Sequence, residues 1–261
     1  MGTTILFPIY HPPRPRFVMA RWDRAAAWLP PDALRVLDDG AAFGLGTARI
    51  RAAVTRRAAR LGRRPFVVGL EYDAGYVALA RHRYPTLRFL RGSADRSPFA
   101  DQAFDAVLLL DVLEHLPSEG AALAEAWRVL KPSGTLIVSV PHAGFLASLD
   151  SLNLYGALRD RLPRLLPLDP TERGHPRHRH YSLADLRRLL GERFVVERVR
   201  RTGLGLSEPL NLVLLLLCRG LFRSDRLYGL LRFVYFGAHL LEDLVPTGRW
   251  GYSVTVRARK R

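Results

Sequence analysis

The sequence predicts an α/β protein: a Rossmann-like, seven-stranded, mostly parallel sheet flanked by helices, with helical insertions after the fifth and sixth strands. Three observations lead to this fold class. Strand and helix patterns alternate through residues 34–141, a glycine-containing loop follows the first strand pattern, and long segments follow the fifth and sixth, at 142–181 and 203–247. Such alternation is typical of a parallel sheet covered on both faces. We expect one domain over 1–261, with the binding core at 34–141.

Each element is predicted from the spacing of its apolar residues. A first helix is expected at 21–29, where Pro30 and Pro31 end it. The expected strands are 34–39, 66–70, 87–90, 104–110, 135–140, 194–200 and 252–258. The later helices are expected at 47–61, 74–83, 119–130, 146–158 and 183–190. Ser182 and Asp185 resemble a capping box at the start of the last helix.

The composition bears on partners and compartment. The net charge is +16, but only Lys131 and Lys260 among the 40 basic residues are lysine, and the arginines are spread over helix faces. This distribution favours a solvated basic surface over nucleic-acid binding, and an anionic membrane surface is the better of the remaining partners. Cys218 has no second cysteine to pair with and is expected to be buried. Residues 1–10 show no signal-peptide pattern, so a cytoplasmic location is expected.

The loop after the first strand carries the main functional indication. Residues 36–44 read VLDDGAAFG, and glycines there let the backbone turn tightly and approach a ligand. The helix that follows offers free N–H groups. Glu71, at the end of the second strand, can accept both hydroxyls of a ribose. The dinucleotide pattern G-x-G-x-x-G and a phosphate-cradling lysine motif are both missing, so we expect a nucleoside site of another class.

Five runs in order then make the prediction more specific. They are VLDDGAAFG (36–44), VGLEYD (68–73), SPFADQAFDAV (97–107), DVLEHL (111–116) and RVLKPSGT (128–135). Together they resemble the motifs of class I S-adenosylmethionine-dependent methyltransferases, in particular those acting on small molecules and in ubiquinone biosynthesis. The resemblance covers about residues 34–141. It implies S-adenosylmethionine as the cofactor.

The resemblance also implies a role for individual residues. Asp38, Gly40 and Gly44 would surround the methionine part of the cofactor, with Asp38 near its amino group. Glu71 would hold the ribose, and Tyr72 would lie against the adenine.

Two positions depart from the family pattern. Ala42 stands where the family has its middle glycine, which is tolerable if the backbone angles suit a residue with a side chain. In the run GSAD (92–95), Ser93 and Ala94 are expected at the adenine, with serine where the family often has aspartate. Ser93 could accept a hydrogen bond there, or Asp95 could replace it.

The chemistry of methyl transfer limits what the acceptor side needs. The acceptor must be aligned, water excluded, and one proton lost. A base helps a hydroxyl acceptor and is unnecessary for a thiolate or neutral amine. The resemblance implies that Asp111 and His115 border the methionine end and the mouth of the acceptor pocket. His142 directly follows the fifth strand, at the ligand-binding edge of the sheet. We therefore predict His142 and His115 as catalytic bases, a small or lipid-linked acceptor, and O-methylation over N- or C-methylation.

The histidine-rich run 174–181 invites a metal interpretation, with His175, His178 and His180 closely spaced. Arg177 and Arg179 oppose it, because fixed positive charges beside a cation are unfavourable. No acidic residue intervenes to support the ligands. We predict no metal, and instead a polar loop over the pocket in which one of these arginines binds an anionic group of the substrate.

The segment 203–247 admits two interpretations. Its uninterrupted apolar run at 209–218 is shorter than the roughly twenty residues needed to span a bilayer, and arginines interrupt the apolar residues after it. The segment could form two helices packed on the domain or at the seam of a homodimer, or a basic amphipathic surface lying on a membrane. The packed pair is favoured, since a helix that is apolar all round is usually buried.

Two rival functions remain open. A related nucleotide-fold oxidoreductase is disfavoured by the missing dinucleotide glycine pattern. A catalytically impaired Rossmann-fold protein that binds a membrane surface or nucleic acid stays open because of Ala42 and Ser93.

Overall fold

The protein folds around a seven-stranded sheet with the strand order β3-β2-β1-β4-β5-β7-β6. The structure is a computed structural model and describes residues 20–144, 147–162, 166, 179–245 and 247–261. The strands are β1 (Arg35–Asp39), β2 (Phe66–Glu71), β3 (Arg88–Arg91), β4 (Phe104–Leu110), β5 (Leu130–Pro141), β6 (Phe194–Thr202) and β7 (Ser253–Lys260). The helices are α1 (Ala20–Trp28), α2 (Leu45–Arg60), α3 (Ala74–Arg83), α4 (Glu119–Val129), α5 (Ser151–Arg161), α6 (Leu183–Leu190), α7 (Ser207–Leu215) and α8 (Asp225–Leu244).

The sheet is mostly parallel, as the sequence predicts. Strands β1 to β5 pair in parallel, and β7 lies antiparallel between β5 and β6. The chain runs from β1 outward to β3 on one side and from β4 outward on the other. The carboxyl ends of β1 and β4 therefore lie side by side where the strand order reverses, which is where open α/β sheets bind their ligands.

Both faces of the central strands are buried, which explains their continuous apolar runs. On one face Val107 and Leu109 of β4 pack with α4 and α6, and on the other Ala106 and Leu108 pack with α1 and α2. Successive residues of a strand point to opposite faces, so this single strand contributes to both cores.

Most predicted boundaries agree with the structure to within a few residues, but the helix predicted at 146–158 is wrong at its start. Helix α5 begins at Ser151, because the Asp150 carboxylate accepts the Asn153 N–H at 2.8 Å and caps it. Residues 145–146 lie outside the described part of the chain. The Ser182–Asp185 capping box is confirmed at the start of α6.

The segment after β6 forms the packed pair that the sequence favours. Helix α7 continues into a π-helical turn, Leu216–Leu221, and α8 follows. Their inner side buries Leu215, Cys218 and Tyr228 against Tyr155 of α5. Among the described helices, none is both long and apolar enough to cross a bilayer.

Candidate active site

The carboxyl end of β1 buries two acids, Asp38 and Asp39, at 2% and 5% exposure. The Thr47 hydroxyl of α2 donates to Asp38 Oδ2 at 2.6 Å. Burial raises the pKa of Asp38 to about 6, against the hydrogen bond from Thr47, and the nearby charge of Glu71 adds to the rise. A cation placed beside Asp38 would lower this pKa again, because opposite charges favour the ionised form.

Gly40 makes the turn out of β1 that no other residue could make here. Its φ is 90°, and its N–H donates to the Leu70 carbonyl of β2 at 2.9 Å. A Cβ at this position would lie 2.2 Å from Cγ2 of Val112. The loop thus requires glycine both for its backbone conformation and for its close packing.

Ala42 also adopts a left-handed backbone conformation, with φ 44°. A residue with a side chain adopts this conformation at a cost of about 1–2 kcal/mol, which glycine avoids. The Ala42 N–H donates to Glu71 Oε2 at 2.8 Å, and this bond holds the strained loop to β2. The departure from the family pattern therefore introduces backbone strain, while the loop keeps its turn.

The Glu71 carboxylate is oriented by two backbone groups. Oε2 accepts from Ala42 and Oε1 from the Asp73 N–H at 2.9 Å. A carboxylate oxygen can accept two hydrogen bonds, so each keeps room for one more donor. The fixed carboxylate can accept from two adjacent hydroxyls at once.

The other residues predicted at the adenine lie on the loops beside Glu71. The ring of Tyr72 is 72% exposed, and Ala94 is 6% exposed. Ser93 is half-buried, and its carbonyl accepts a hydrogen bond from the Arg96 N–H at 3.1 Å. The Gly92 N–H donates to the Glu71 carbonyl at 3.0 Å, which links the loop after β3 to the end of β2.

Asp111 follows β4 with φ 56°, a second strained residue at this edge. The Ser139 hydroxyl of β5 donates to Asp111 Oδ1 at 2.7 Å. Arg21 of α1 forms an ion pair with the same carboxylate. An amino group of Arg21 also lies 3.2 Å from Nε2 of His239 in α8. Contacts at Asp111 thus join α1 and α8 to the carboxyl edge of the sheet.

His142 directly follows β5 and is buried, at 6% exposure. Its Nδ1 lies 2.7 Å from the Gly251 carbonyl, which can only accept, so Nδ1 carries the proton and Nε2 keeps its lone pair. Burial lowers the pKa of His142 from its usual 6.5. His115 is half-buried on a 3-10 turn, Leu113–His115, that follows the neighbouring strand.

The sequence interpretation passed over Glu114. It lies in the same turn at 2% exposure, and its Oε2 has no hydrogen-bond partner among the described residues. Burial raises the pKa of Glu114 to about 8, although the charges of Arg21 and Arg179 oppose the rise. The sequence offers one indication of this burial, since Glu114 lies between the apolar residues Val112-Leu113 and Leu116.

The two insertions are joined by a buried chain of polar groups. The Ser151 N–H and hydroxyl of α5 both donate to Glu208 Oε2 of α7, at 3.0 and 2.6 Å. Asn211 donates to the Ser151 hydroxyl at 2.7 Å, and the Tyr228 hydroxyl of α8 donates to Asn211 Oδ1 at 2.9 Å. Burial raises the pKa of Glu208. These contacts hold α5, α7 and α8 together as one layer.

Comparison with known proteins matches the part of the chain that carries most of this edge. The methyltransferase-domain family matches residues 42–138. A probable S-adenosylmethionine-dependent methyltransferase of Mycolicibacterium smegmatis is 36% identical over 107 residues, which are 41% of this chain and 38% of that protein. Over these residues the core is similar to S-adenosylmethionine-dependent methyltransferases. A demethylmenaquinone methyltransferase of Beutenbergia cavernae is 41% identical over 73 residues, 28% of this chain and 30% of its own. The chain thus matches well under half the length of these relatives.

Solved structures extend the likeness in fold to nearly the whole chain. A possible histamine N-methyltransferase of Thermotoga maritima has a TM-score of 0.53 at 20% identity and covers 94% of this chain and 90% of its own. A magnesium protoporphyrin IX methyltransferase of Synechocystis, solved with bound SAH, has a TM-score of 0.52 at 16% identity and covers 94% and 84%. At these identities the likeness shows the fold alone.

The fold brings the predicted residues to one edge of the sheet, and they suit S-adenosylmethionine chemically. The fixed carboxylate of Glu71 suits a ribose diol, buried Asp38 suits an ammonium group, and the turn at Gly40 lets the backbone come close to a ligand. His142 lies beyond them, on the side of the insertions.

The predicted histidine loop is only partly described. His175, Arg177 and His178 lie outside the described residues. Arg179 pairs with Glu119 of α4 and donates to the Leu116 carbonyl, so its guanidinium ties the loop to the sheet edge. Within the described ranges, no group of three His, Cys, Asp or Glu side chains is placed to hold a metal ion.

Proposed function

We propose that this protein transfers a methyl group from S-adenosylmethionine to a small-molecule acceptor, with oxygen as the favoured acceptor atom. The observation that carries the proposal is the Glu71 carboxylate, held by two backbone N–H groups at the end of β2, next to the switch point between β1 and β4 and within the residues that match the methyltransferase-domain family. When bound there, S-adenosylmethionine supplies an electrophilic methyl group on a sulfonium.

The chain's own residues would hold the cofactor along the carboxyl edge. Glu71 accepts hydrogen bonds from the ribose hydroxyls, and Asp38 accepts them from the methionine amino group. Tyr72 lies against the adenine. The burial of Asp38 supports its role, because an ammonium partner compensates the cost of burying its charge. Ser93 and Ala94 line the adenine end, and Asp111 the methionine end.

On the acceptor side, His142 takes the proton of a hydroxyl. Its Nδ1–H is engaged by the Gly251 carbonyl, and its lowered pKa leaves Nε2 unprotonated at neutral pH. His115, on the turn after the neighbouring strand, is the second candidate base. A thiolate or neutral-amine acceptor would need neither.

The acceptor is proposed to be lipid-linked. Segments 142–181 and 203–247 build its chamber, because both leave from the edge that carries the cofactor site and are joined through Ser151 and Glu208. One matched relative is named for demethylmenaquinone, an amphiphilic quinone. We extend that class of acceptor to this chain.

Isothermal titration calorimetry with S-adenosylmethionine tests the cofactor half of the proposal. The exchange Glu71→Gln removes the negative charge and one of the two acceptor oxygens, so we expect affinity to fall about 10- to 100-fold. Glu192→Gln is the matched control, since Glu192 is exposed on the Gly191–Arg193 turn. An unchanged affinity in Glu71→Gln would show that the ribose lies elsewhere.

Release of S-adenosylhomocysteine in the presence of hydroquinone acceptors tests the transfer itself. The proposal predicts release that depends on both cofactor and acceptor. Failure of the protein to bind millimolar S-adenosylmethionine contradicts it. Binding without release, over a panel of oxygen, nitrogen and sulfur acceptors, favours a catalytically impaired binding protein.

A further inference from the structure

The outward side of the α7–α8 pair is apolar as well as the inward side. Nine large apolar side chains there are 42–69% exposed. We call this set the outer face; its members are Leu206, Val213, Leu217, Leu221, Phe222, Leu230, Phe233, Val234 and Leu241. Four of the members on α8, at 230, 233, 234 and 241, recur at helical spacing and so share one side of that helix.

The outer face cannot be explained as the packing surface of the helix pair. That role belongs to the opposite side, where Leu215, Cys218 and Tyr228 are buried against α5. The π-helical turn separates the two sides, with Cys218 inward at 1% exposure and Leu217 and Leu221 outward at 45% and 69%. Apolar residues exposed singly are normal on a protein surface, whereas nine half-exposed large apolar side chains on one helix pair are typical of an interaction surface.

The charges around the outer face are positive. Arg223 and Arg226, beside Leu221 and Phe222 at its tip, are exposed. The exposed acid between these arginines, Asp225, accepts a hydrogen bond from Arg219 Nε at 2.8 Å.

Two further acids of these helices, among those whose side chains the structure describes, turn inward. Glu208 is 4% exposed, and Glu242 accepts the Gly205 N–H at 2.9 Å. An apolar centre with a cationic rim is the composition that suits an interfacial surface.

We propose that the outer face binds the surface of a membrane that contains anionic lipids. A bilayer offers both complements at once, negative headgroups for the arginines and an apolar interior for the leucines and phenylalanines. A second copy of this chain fits less well, because it would bring the same arginines together in a protein of net charge +16.

The outer face is connected to the proposed acceptor chamber. Helix α8 carries it, and the same helix places His239 against Arg21, which pairs with Asp111 at the sheet edge. A protein docked by this face would therefore hold its chamber close to the lipid surface. This consequence rests on the proposed methyl transfer, whereas the membrane binding itself does not.

Vesicle flotation of the full chain, without cofactor or acceptor, tests the binding. We expect the protein to float with vesicles of 70% phosphatidylcholine and 30% phosphatidylglycerol, and at least tenfold less with pure phosphatidylcholine. The double exchange Leu221→Ser/Phe222→Ser should lower the bound fraction at least tenfold. Its control is Leu61→Ser, since Leu61 is 48% exposed at the end of α2, far along the chain from the face.

Charge reversals separate a specific face from the general basic charge. Arg226→Glu should reduce flotation several-fold more than Arg63→Glu, an exposed arginine between α2 and β2. Equal losses would overturn the proposal, as would flotation unaffected by the serine exchanges. So would a dimer, seen by light scattering without vesicles, that the serine exchanges convert to monomer.

Two further measurements keep the outcomes distinct. Circular dichroism and S-adenosylmethionine titration should be unchanged in every variant, which shows that lost flotation is not lost folding. If the wild-type chain floats but binds no cofactor, the proposed function fails and the membrane proposal stands.

Discussion

Burial decides the protonation state of three side chains at the carboxyl edge: Asp38, Glu114 and His142. All three are at most 6% exposed. Losing water disfavours the charged form, so the pKa rises for the two acids and falls for the histidine. Each pKa is shifted in the direction that favours the neutral form, so a charged ligand group bound beside one of these side chains would change its protonation.

The pH dependence of turnover tests His142. The exchange His142→Gln should lower kcat for a hydroxyl acceptor about 10²- to 10⁴-fold, with little change in cofactor affinity. In the wild type, kcat/KM should rise with pH through a midpoint below 6.5 and then level off, because burial lowers the pKa of His142 from that value. The variant should lose this limb. A limb that persists would assign the base to another group.

Local motifs predict some residues of this edge and not others. The turn at Gly40 and the place of Glu71 at the end of β2 can be predicted from the sequence, because each depends on neighbouring residues alone. The burial of Glu114 and the pairing of Arg21 with Asp111 depend on elements that meet only after folding. No local spacing encodes them.

Helices α1 and α2 share an apolar cluster and make one especially close contact. A Cβ on Gly46 would lie 2.1 Å from Nε1 of Trp22, so the indole ring rests directly on the helix backbone. The residue before this tryptophan, Arg21, is the one that pairs with Asp111. The position of α1 over the cofactor edge therefore depends on a glycine in α2.

The exchange Gly46→Ala tests this packing. The added methyl group must displace Trp22, and we expect the free energy of unfolding to fall by about 1–3 kcal/mol in urea denaturation. Cofactor affinity should fall as well, because Arg21 moves with α1. Gly120→Ala in α4 is the control: nothing lies within 4 Å of its added Cβ, so helix propensity alone should act. Equal stability of Gly46→Ala and wild type would contradict the contact.

At the scale of the whole molecule, Glu114 links stability to pH. Its pKa is about 8 in the folded chain and 4.5 in its ordinary state. Between these values the folded state holds a proton that the unfolded state has lost. The contribution of Glu114 is therefore complete below about pH 4.5 and is lost as the pH rises to 8.

The exchange Glu114→Gln should remove this dependence. Relative to wild type, the variant should gain stability as the pH rises from 5 to 8, by roughly 1.4 kcal/mol per pH unit at most. Urea denaturation at several pH values measures the difference, in which the other titrating groups cancel. Glu192→Gln, at an exposed position, should show no such trend. A difference that does not vary with pH would place the titration elsewhere.

The fold could be predicted further than the site. Continuous apolar strands and alternating helices suffice to predict a mostly parallel sheet, because the apolar pattern of each element indicates its own burial. The layer formed by α5, α7 and α8 could not be predicted, since its bond from Ser151 to Glu208 spans 57 residues. The same holds for the outer face: the apolar segment was readable, but which side packs inward was not.

The place of β7 has a consequence for how the chain is made. It lies between β5 and β6, yet it is translated after both. At about 5–20 residues per second, the roughly fifty residues from Thr202 to Ser253 occupy the ribosome for several seconds. Throughout that interval β6 lacks its neighbour β7, and α7 and α8 are being synthesised. The apolar helices α7 and α8 are thus made before β7 completes the sheet. This order of synthesis favours binding of the nascent chain by a chaperone or a lipid surface.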